Sequence, residues 1–277
     1  MKRLFLVLAL FLAFFLTACR LSPATPLAET PPPLPLPQEG EPAPPREPEK
    51  VTQWPPVAVL MYHQLGDPPP GHPWPELYVS KDAFAAQLDW LDREGFHPVT
   101  LKEVLTAWRE GRPLPDKSVV ITFDDGYAST VQVGLPLLQA HGFPAVLFLQ
   151  GNLLNRAGAV SDAMVRTWLE AGMELGSHTM RHLDLTRASE KDLEAEVVGS
   201  RSFLETTFDI PVLTFAYPAG RADDRARSMV EQAGYEAAFT TRSACARAED
   251  DPFLLPRLRV NGSDSLEAFA RKVSCHP

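Results

Sequence analysis

The chain alternates between short apolar runs and longer stretches in which apolar residues recur every three or four positions. Seven apolar runs lie between residues 57 and 260, and most are continuous over four to six residues. Such runs are typical of strands that are covered on both faces of a sheet. The predicted strands are 57–62, 119–123, 145–149, 173–176, 212–217, 237–240 and 255–260. Strands that alternate with helices indicate a parallel sheet and an α/β fold.

Two of the intervening stretches carry helix signals. Ser80 precedes one of them, and Ser189 with Asp192 three residues later precedes the other, as expected of residues that cap helix N-termini. The apolar residues at helical spacing are Phe84, Leu88 and Leu91 in the first helix, and Leu193, Val197, Leu204 and Phe208 in the second.

About seven strands in some 220 residues favour a barrel-like closure over a small open sheet. In a parallel barrel the catalytic residues lie at the carboxyl ends of the strands. Polar residues that abruptly end an apolar run are therefore the candidates for chemistry, and four of the runs end in this way.

Two of these ends together suggest a metal site. Asp124 and Asp125 end one run and are followed by Gly126, either as a structural Asp-Gly turn or as a metal ligand beside a general base. His178 and His182 follow another run, and a spacing of four places both imidazoles on one side of a helical turn. Two histidines and a carboxylate suit zinc or a similar divalent metal and leave a position open for water.

The other two ends are weaker signals. His63 closes the first run, as a catalytic residue or as a buried structural histidine. The run 212–217 leads through Tyr217, Pro218 and Ala219 into Gly220. Backbone N–H groups in this turn could face a bound oxyanion, although the same residues also make an ordinary turn.

The N-terminus predicts export. Lys2 and Arg3 precede an apolar run over residues 4–16, which is too short to span a membrane and matches a secretory signal of residues 1–18. Small residues then precede Cys19, as in bacterial lipoprotein signals, which predicts lipidation of Cys19. Residues 20–56 hold 13 prolines in 37 positions, so residues 19–56 are expected to form a lipidated, extended linker ahead of one domain at 57–277.

Composition narrows the functional classes. With 45% hydrophobic and 22% charged residues, the chain resembles a folded globular protein. Its net charge of −9 and lack of a long basic run argue against nucleic acid as a partner. Cys245 and Cys275 either pair in the exported compartment or remain free thiols.

TFDDG at residues 122–126 and HTMRH at 178–182 together resemble the polysaccharide deacetylase family (carbohydrate esterase family 4, the NodB-homology domain), over residues 57–270. The resemblance implies a distorted (β/α)7 barrel that removes N- or O-acetyl groups from sugars at an Asp-His-His metal site. It makes Asp124 the general base. It makes Asp125, His178 and His182 the ligands of one divalent ion, expected to be zinc, with nickel, cobalt or manganese as alternatives.

VLMYH at residues 59–63 is similar to a branch that includes exported poly-N-acetylglucosamine deacetylases, in which the acid-histidine motif precedes TFDDG. This similarity implies that His63 is the general acid. The family's usual arginine and aromatic residue are replaced here by Ala216 and Ala219. A backbone donor at Ala219 survives the replacement, and Arg257 or Arg259 on the last predicted strand is the candidate to orient the base.

The resemblance therefore implies a hydrolase that removes N-acetyl groups from an envelope or extracellular glycan. Poly-N-acetylglucosamine and peptidoglycan N-acetylglucosamine are the expected substrates, with chitin oligomers and O-acetylated xylan as alternatives. Two other functions stay open, namely a glycan-binding surface lipoprotein without catalysis and a hydrolase of small amides or O-acetyl groups on the same barrel. The chain is expected to be anchored to a membrane by the lipid at Cys19, with its domain facing the periplasm or the cell surface.

Overall fold

The computed structural model describes residues 54–275. The predicted signal peptide, Cys19 and the predicted linker up to residue 53 lie outside the described residues. At the start of the described part, the indole N–H of Trp54 donates to the carbonyl of Arg112 at 3.0 Å, so the end of the predicted linker contacts the domain. Within residues 54–275, none of the helices has the length and apolar character needed to cross a bilayer.

Strands and helices alternate along the described chain. The strands are β1 (Ala58–Tyr62), β2 (Gln64–Leu65), β3 (Tyr78–Val79), β4 (His97–Pro98), β5 (Ser118–Phe123), β6 (Val146–Leu149), β7 (Glu174–Ser177), β8 (Thr214–Ala216), β9 (Ala237–Phe239) and β10 (Leu258–Arg259). The α-helices are α1 (Lys81–Arg93), α2 (Leu101–Glu110), α3 (Leu135–His141), α4 (Asp162–Glu170), α5 (Glu190–Phe208), α6 (Asp224–Gln232) and α7 (Leu266–Val273). Short 3-10 turns lie at Pro75–Leu77, Gly151–Leu153, Leu185–Arg187 and Pro218–Gly220, and a π-helical turn lies at Thr130–Gly134.

The main sheet is parallel and curls into the predicted distorted barrel. Its strands follow the order β10-β1-β5-β6-β7-β8-β9, with β4 paired to β5. A parallel bridge between Phe239 and Leu255 links the region of β9 to the segment that enters β10, so the two edges approach each other. The pair β2–β3 forms a separate small parallel sheet.

Alternation along the strands separates two apolar clusters. In β1, Leu60 and Tyr62 belong to the large cluster, whereas Val59 belongs to a smaller cluster formed by strand residues and helix α2. In β5, Ile121 packs with the large cluster and Val120 with the smaller one. Because strand side chains alternate between faces, the residues that follow these strands are aimed in a predictable direction. The strand faces that carry the smaller cluster are therefore continued, at the carboxyl ends of the strands, by the residues of the candidate site.

The predicted strands are confirmed, with differences at their ends. The run 255–260 yields only the bridge at Leu255 and the short strand β10, because Pro256 between them has no N–H for a ladder bond. The run 212–217 shortens to β8, since the N–H of Val212 donates to the Glu205 carboxylate at 3.0 Å. The strands β2, β3 and β4 were not predicted, because two residues carry no periodic signal.

Both predicted helices are confirmed. The hydroxyls of Ser80 and Ser189 accept hydrogen bonds from the third residue of α1 and of α5, respectively. All the apolar residues predicted for these helices are buried. In α5, however, Glu196 and Ser200 are also fully buried, although they are polar. These two residues matter for the site.

The sequence left the state of Cys245 and Cys275 open, and the structure pairs them in a disulfide. The bond ties Cys275, two residues after α7, to Cys245 in the segment preceding β10, across a sequence separation of 30. A loop of that length is expected to gain about 3–4 kcal/mol from the cross-link by the chain-entropy relation. The disulfide therefore fastens the C-terminal helix to the barrel.

Candidate active site

The turn after β5 brings two carboxylates to the end of the barrel. Asp124 continues the alternation of Val120 and is buried, with its N–H bonded to the carbonyl of Tyr62 at 2.9 Å. Asp125 has a φ of 73°, and Gly126 has a φ of 96°. A φ of this sign favours glycine, and a side chain at Gly126 would also displace the end of the Leu149 side chain.

The segment between the two histidines is an irregular loop, and the prediction of a helical turn there is wrong. His178 follows β7 directly, and residues 178–182 adopt no helix. Thr179 has a φ of 66° and His182 a φ of 59°, and two left-handed residues interrupt a helix. The loop instead bonds to its neighbour, with the N–H of Gly151 donating to the carbonyl of Thr179 at 2.9 Å. The imidazole centroids nevertheless lie 4.9 Å apart.

Asp125, His178 and His182 form a cluster that fits a divalent metal. Ligand atoms of the three residues lie within 4.8 Å of one another. The Nε2 atoms of His178 and His182 lie 3.5 and 3.7 Å from Oδ1 of Asp125. Two imidazole nitrogens and one carboxylate oxygen are ligands of catalytic zinc sites. Burial, followed by the nearby His178, lowers the pKa of His182, which favours the neutral form that binds metals.

His178 is oriented by a backbone carbonyl. Its Nδ1 lies 2.6 Å from the carbonyl oxygen of Ala216, at the end of β8. A carbonyl accepts only, so Nδ1 carries the proton and Nε2 is left free towards Asp125. Ala216 stands where the motif of the resembled family has an arginine, yet its backbone orients a histidine of the candidate metal cluster. The sequence carried no signal for this contact, because any residue supplies a carbonyl.

Helix α5 holds the histidine loop through buried polar residues. Glu196 is fully buried and accepts from both the backbone N–H and Nε of Arg181, each at 2.7 Å. Asp192 accepts from Nη2 of Arg181 at 2.7 Å. One helical turn beyond Glu196, the hydroxyl of Ser200 lies 2.8 Å from that of Ser177, the last residue of β7. Three residues at four-residue spacing on α5 thus contact both ends of the segment that carries His178.

The buried Asp124 is held by an arginine from the last strand region. Nη1 and Nη2 of Arg257 donate to Oδ1 and Oδ2 of Asp124, each at 2.7 Å. Burial by itself would raise the pKa of Asp124. The charge of Arg257 and its hydrogen bonds outweigh burial and bring the pKa of Asp124 well below its usual range. Asp124 is therefore ionised at neutral pH.

His63 lies at the end of β1 in the same pocket. Its ring is largely buried, and Nδ1 has no hydrogen-bond partner among residues 54–275. Burial is the main cause that lowers the pKa of His63. Asp124 and Asp125 oppose that shift, whereas Arg259 and Arg257 add to it. Two carboxylates and two guanidinium groups thus influence the pKa of this ring in opposite directions.

Asp124, Asp125, His178, His182 and His63 line one pocket of about 570 Å³ at the carboxyl end of the barrel. Of the other candidates from the sequence, Tyr217, Ala219 and Arg259 border it, whereas Pro218 is buried beside it. The Tyr217 ring packs among core residues, with its centroid 5.2 Å from that of Phe215. Ala219 has a φ of 51°, so the turn is strained where it meets the pocket.

Several pocket residues were missed from the sequence. Tyr127, Gln150, Arg181 and Trp74 also border the pocket. Burial, followed by the charge of Asp125, raises the pKa of Tyr127 to about 12, so its phenol stays protonated. The sequence offered a signal for two of them. Tyr127 lies close to the Asp pair in the chain, and Gln150 directly follows the last residue of β6. Trp74 lies in a proline-rich segment that belongs to no predicted element.

The chain is similar to known polysaccharide deacetylases. The family model described as polysaccharide deacetylase matches residues 111–238. YxkH of Bacillus subtilis, which is named as a polysaccharide deacetylase, is 28% identical over 213 residues, covering 77% of this chain and 74% of that protein. The poly-beta-1,6-N-acetyl-D-glucosamine N-deacetylase of Escherichia coli K12 is 27% identical over 238 residues. That match covers 70% of this chain but only 35% of the relative.

The fold also matches a solved structure. The deacetylase PplD of Streptococcus pyogenes, solved in complex with acetate, superposes with a TM-score of 0.74 at 24% identity, over 80% of this chain and 99% of PplD. This likeness concerns the fold. Residues 111–238 match the polysaccharide deacetylase family model, and the similar proteins are named as deacetylases. The chain is therefore similar to polysaccharide deacetylases and shares the barrel fold of a solved deacetylase.

Proposed function

We propose that this chain is a metal-dependent N-deacetylase of an acetylated glycan in the cell envelope. The observation that carries the proposal is the meeting of five groups in one pocket. The Asp125–His178–His182 cluster lies beside Asp124, ionised and held by Arg257, and His63 borders the same space. This arrangement supplies a metal site, a base and an acid around one position for an acetyl group.

Asp125, His178 and His182 are the proposed ligands of one divalent ion, expected to be zinc. When bound, such an ion polarises the acetyl carbonyl and lowers the pKa of a water molecule towards neutrality. Asp124 takes a proton from the attacking water as the new C–O bond forms. The backbone N–H of Ala219, at the pocket border, is the proposed donor to the oxygen that becomes negative.

His63, which borders the same pocket, is the proposed general acid. In its protonated form it gives a proton to the amide nitrogen as the C–N bond breaks, since an unprotonated amine is a very poor leaving group. The products are acetate and a free amine on the sugar. Proton transfers by Asp124 and His63 are each expected to contribute about 10²–10⁴-fold to the rate.

The substrate class and the location are also part of the proposal. Poly-N-acetylglucosamine is the first candidate, since relatives from Escherichia coli and Staphylococcus aureus are named as deacetylases of that polymer. Peptidoglycan N-acetylglucosamine is the second. The signal of residues 1–18, Cys19 and the proline-rich linker support an exported lipoprotein whose catalytic domain, residues 57–277, reaches glycans near a membrane.

The direct test measures acetate released by the full chain, loaded with zinc, from three polymers in parallel. These are poly-β-1,6-N-acetylglucosamine, peptidoglycan and O-acetylated xylan. Release from either N-acetylated polymer, lost in His178→Ala, is the expected result, and the faster polymer identifies the substrate. Release from xylan alone would replace N-deacetylation by ester hydrolysis. A folded, zinc-bound chain that releases no acetate from any of them would contradict the proposal.

A further inference from the structure

Trp74 exposes its indole at the border of the candidate active site. Its side chain is 59% exposed and is the one large hydrophobic group with this exposure among residues 54–275. It borders the same pocket as the Asp124–Asp125 pair, together with Glu76 and Leu77 on its own segment. An exposed aromatic residue at a pocket mouth is available to a ligand in a way that a buried one is not.

The segment around Trp74 is stiff. Pro73 and Pro75 flank the residue directly, and each proline fixes its own φ and restricts the residue before it. The N–H of Trp74 donates to Nδ1 of His72 at 3.2 Å. The ring of His72 stands edge-on to Trp74 and to Tyr78, with centroid distances of 6.2 and 4.9 Å. The indole is therefore held in place before any ligand arrives.

The segment is also tied to the barrel. The N–H of Gly262, which follows β10, donates to the carbonyl of Glu76 at 2.9 Å. A side chain at Gly262 would overlap the carbonyl of Tyr78, so this close approach requires glycine. Tyr78 and Val79, which follow Leu77 at the end of this segment, form β3. This strand pairs with β2, which follows His63. The position of Trp74 is thus fixed relative to the end of β1.

We propose that Trp74 is a stacking platform for a pyranose ring of the glycan, in a subsite next to the sugar that is deacetylated. The inference rests on the proposed function for its choice of ligand. A pyranose ring presents C–H groups on one face and hydroxyls around its edge, so it matches a flat apolar indole bordered by polar groups. Glu76, two residues further on at the same pocket, offers a carboxylate that accepts hydrogen bonds from hydroxyls.

A lipid surface is the competing ligand for an exposed tryptophan, because tryptophans are enriched at membrane interfaces. The position of Trp74 favours the sugar. It borders the pocket with the proposed catalytic groups, and the carboxylate of Glu76 beside it would be repelled by an anionic bilayer. Both the adjoining pocket and the carboxylate of Glu76 therefore favour a glycan over a lipid surface as the ligand of Trp74.

The first experiment compares acetate release from a poly-N-acetylglucosamine oligomer by the full chain, by Trp74→Ala and by Trp74→Phe. Loss of the stacking face is expected to raise KM about tenfold in Trp74→Ala, with most of the loss in kcat/KM coming from KM. Trp74→Phe keeps an aromatic face and should recover part of the loss. Trp54→Ala is the matched control, since Trp54 lies outside the pocket and bonds to Arg112. An unchanged KM in Trp74→Ala would overturn the proposal.

The second experiment separates this subsite from catalysis. Tryptophan fluorescence of the full chain carrying His178→Ala is titrated with the same oligomer, with and without Trp74→Phe. A fluorescence change that disappears with Trp74→Phe supports the platform even where no acetate is released. Acetate release that is insensitive to Trp74 would leave the proposed function standing and reject the subsite.

The membrane alternative has its own arm. The full chain carrying Cys19→Ser lacks the proposed lipidation site, and its binding to phosphatidylglycerol–phosphatidylethanolamine vesicles is measured by co-sedimentation. The sugar platform predicts that Trp74→Ala leaves vesicle binding unchanged. Loss of vesicle binding in Trp74→Ala, with an unchanged KM for the oligomer, would make Trp74 a membrane contact and overturn the proposal.

Discussion

Arg257 donates two parallel hydrogen bonds of 2.7 Å to the carboxylate of Asp124 inside the barrel, and both side chains are buried from solvent. The two residues are 133 positions apart in the chain. A bidentate arginine–carboxylate pair fixes both the orientation and the charge of the carboxylate. Asp124 is thus presented as an ionised group with one orientation. Position 216, where the usual family motif has an arginine, is alanine here, and Arg257 on the segment that enters β10 contacts Asp124 instead.

Asp124→Asn is the first test of this arrangement. Asparagine keeps the shape and one acceptor for Arg257 but cannot take a proton from water. Turnover of an acetylated oligomer is expected to fall by about 10²–10⁴-fold. Metal content, measured by inductively coupled plasma mass spectrometry, should stay at the wild-type level, because the proposed ligands are untouched.

The metal content of the Asp124→Asn variant distinguishes a role of Asp124 as the base from a role in binding the metal. A loss of both metal and activity would make Asp124 part of the metal site rather than the base. Near wild-type turnover with metal bound would remove the proposed role of Asp124 altogether. Thermal unfolding of the variant, recorded in parallel, shows whether the buried Arg257 tolerates the lost charge.

Arg259→Gln tests the role of His63 through the pH profile. A general acid must be protonated, so activity falls as pH rises through its pKa. Burial lowers the pKa of His63, Asp124 and Asp125 oppose this, and Arg259 and Arg257 lower it further. Removing the Arg259 charge therefore raises the pKa of His63. The alkaline limb of kcat/KM, which reports on the free enzyme, is expected to move to higher pH.

The control for this profile is Arg109→Gln, which removes one positive charge from the surface pair with Glu236, outside the pocket. Its profile should superimpose on that of the wild type. An alkaline limb that stays in place in Arg259→Gln, or that moves to lower pH, would exclude His63 as the acid that sets this limb.

Glu196→Gln tests whether helix α5 positions the metal ligands. The carboxylate of Glu196 holds the backbone and side chain of Arg181, directly before His182. Glutamine can accept from one donor but presents an N–H₂ group to the other, so the loop is expected to loosen. Groups that support metal ligands typically change affinity by about 10–100-fold when mutated. We expect an affinity for zinc about tenfold weaker, measured by competition with a chromophoric chelator.

Glu205→Gln provides the matched comparison on the same helix. Glu205 accepts from Arg201 and from the N–H of Val212, and it does not contact the histidine loop. Its loss should affect thermal stability but leave zinc affinity unchanged. Equal zinc affinities in the Glu196 and Glu205 variants would show that the buried carboxylate has a structural role alone.

The sequence predicted the barrel and the residues that meet at its end because both follow from local rules. Apolar runs identified the strands, and parallel strands place their carboxyl ends together. His63, Asp124 and His178 each follow such a run directly, so their convergence could be expected. The shape of the 178–182 loop could not, because its two left-handed residues depend on contacts with α5 and the Gly151 turn.

The supporting contacts were also hidden from the sequence. Glu196 and Ser200 lie on α5 among charged neighbours, and a helix pattern assigns such residues to solvent. The carbonyl of Ala216 has no side-chain signature. The sequence alone could not decide whether Arg257 or Arg259 orients Asp124, because residues two positions apart on a strand share a face. The two arginines differ in how deeply their side chains are buried. Arg257 lies at the buried level of Asp124, whereas Arg259 reaches the pocket.

Acetate release as a function of metal content tests directly whether the chain is a metal-dependent deacetylase. The full chain is stripped with a chelator, dialysed and titrated with zinc in the presence of an N-acetylglucosamine oligomer. We expect no release without metal and recovery that saturates at about one zinc ion per chain, as one cluster of two histidines and one carboxylate implies. His178→Ala should not recover. Full release by the stripped chain, or recovery in His178→Ala, would contradict this expectation.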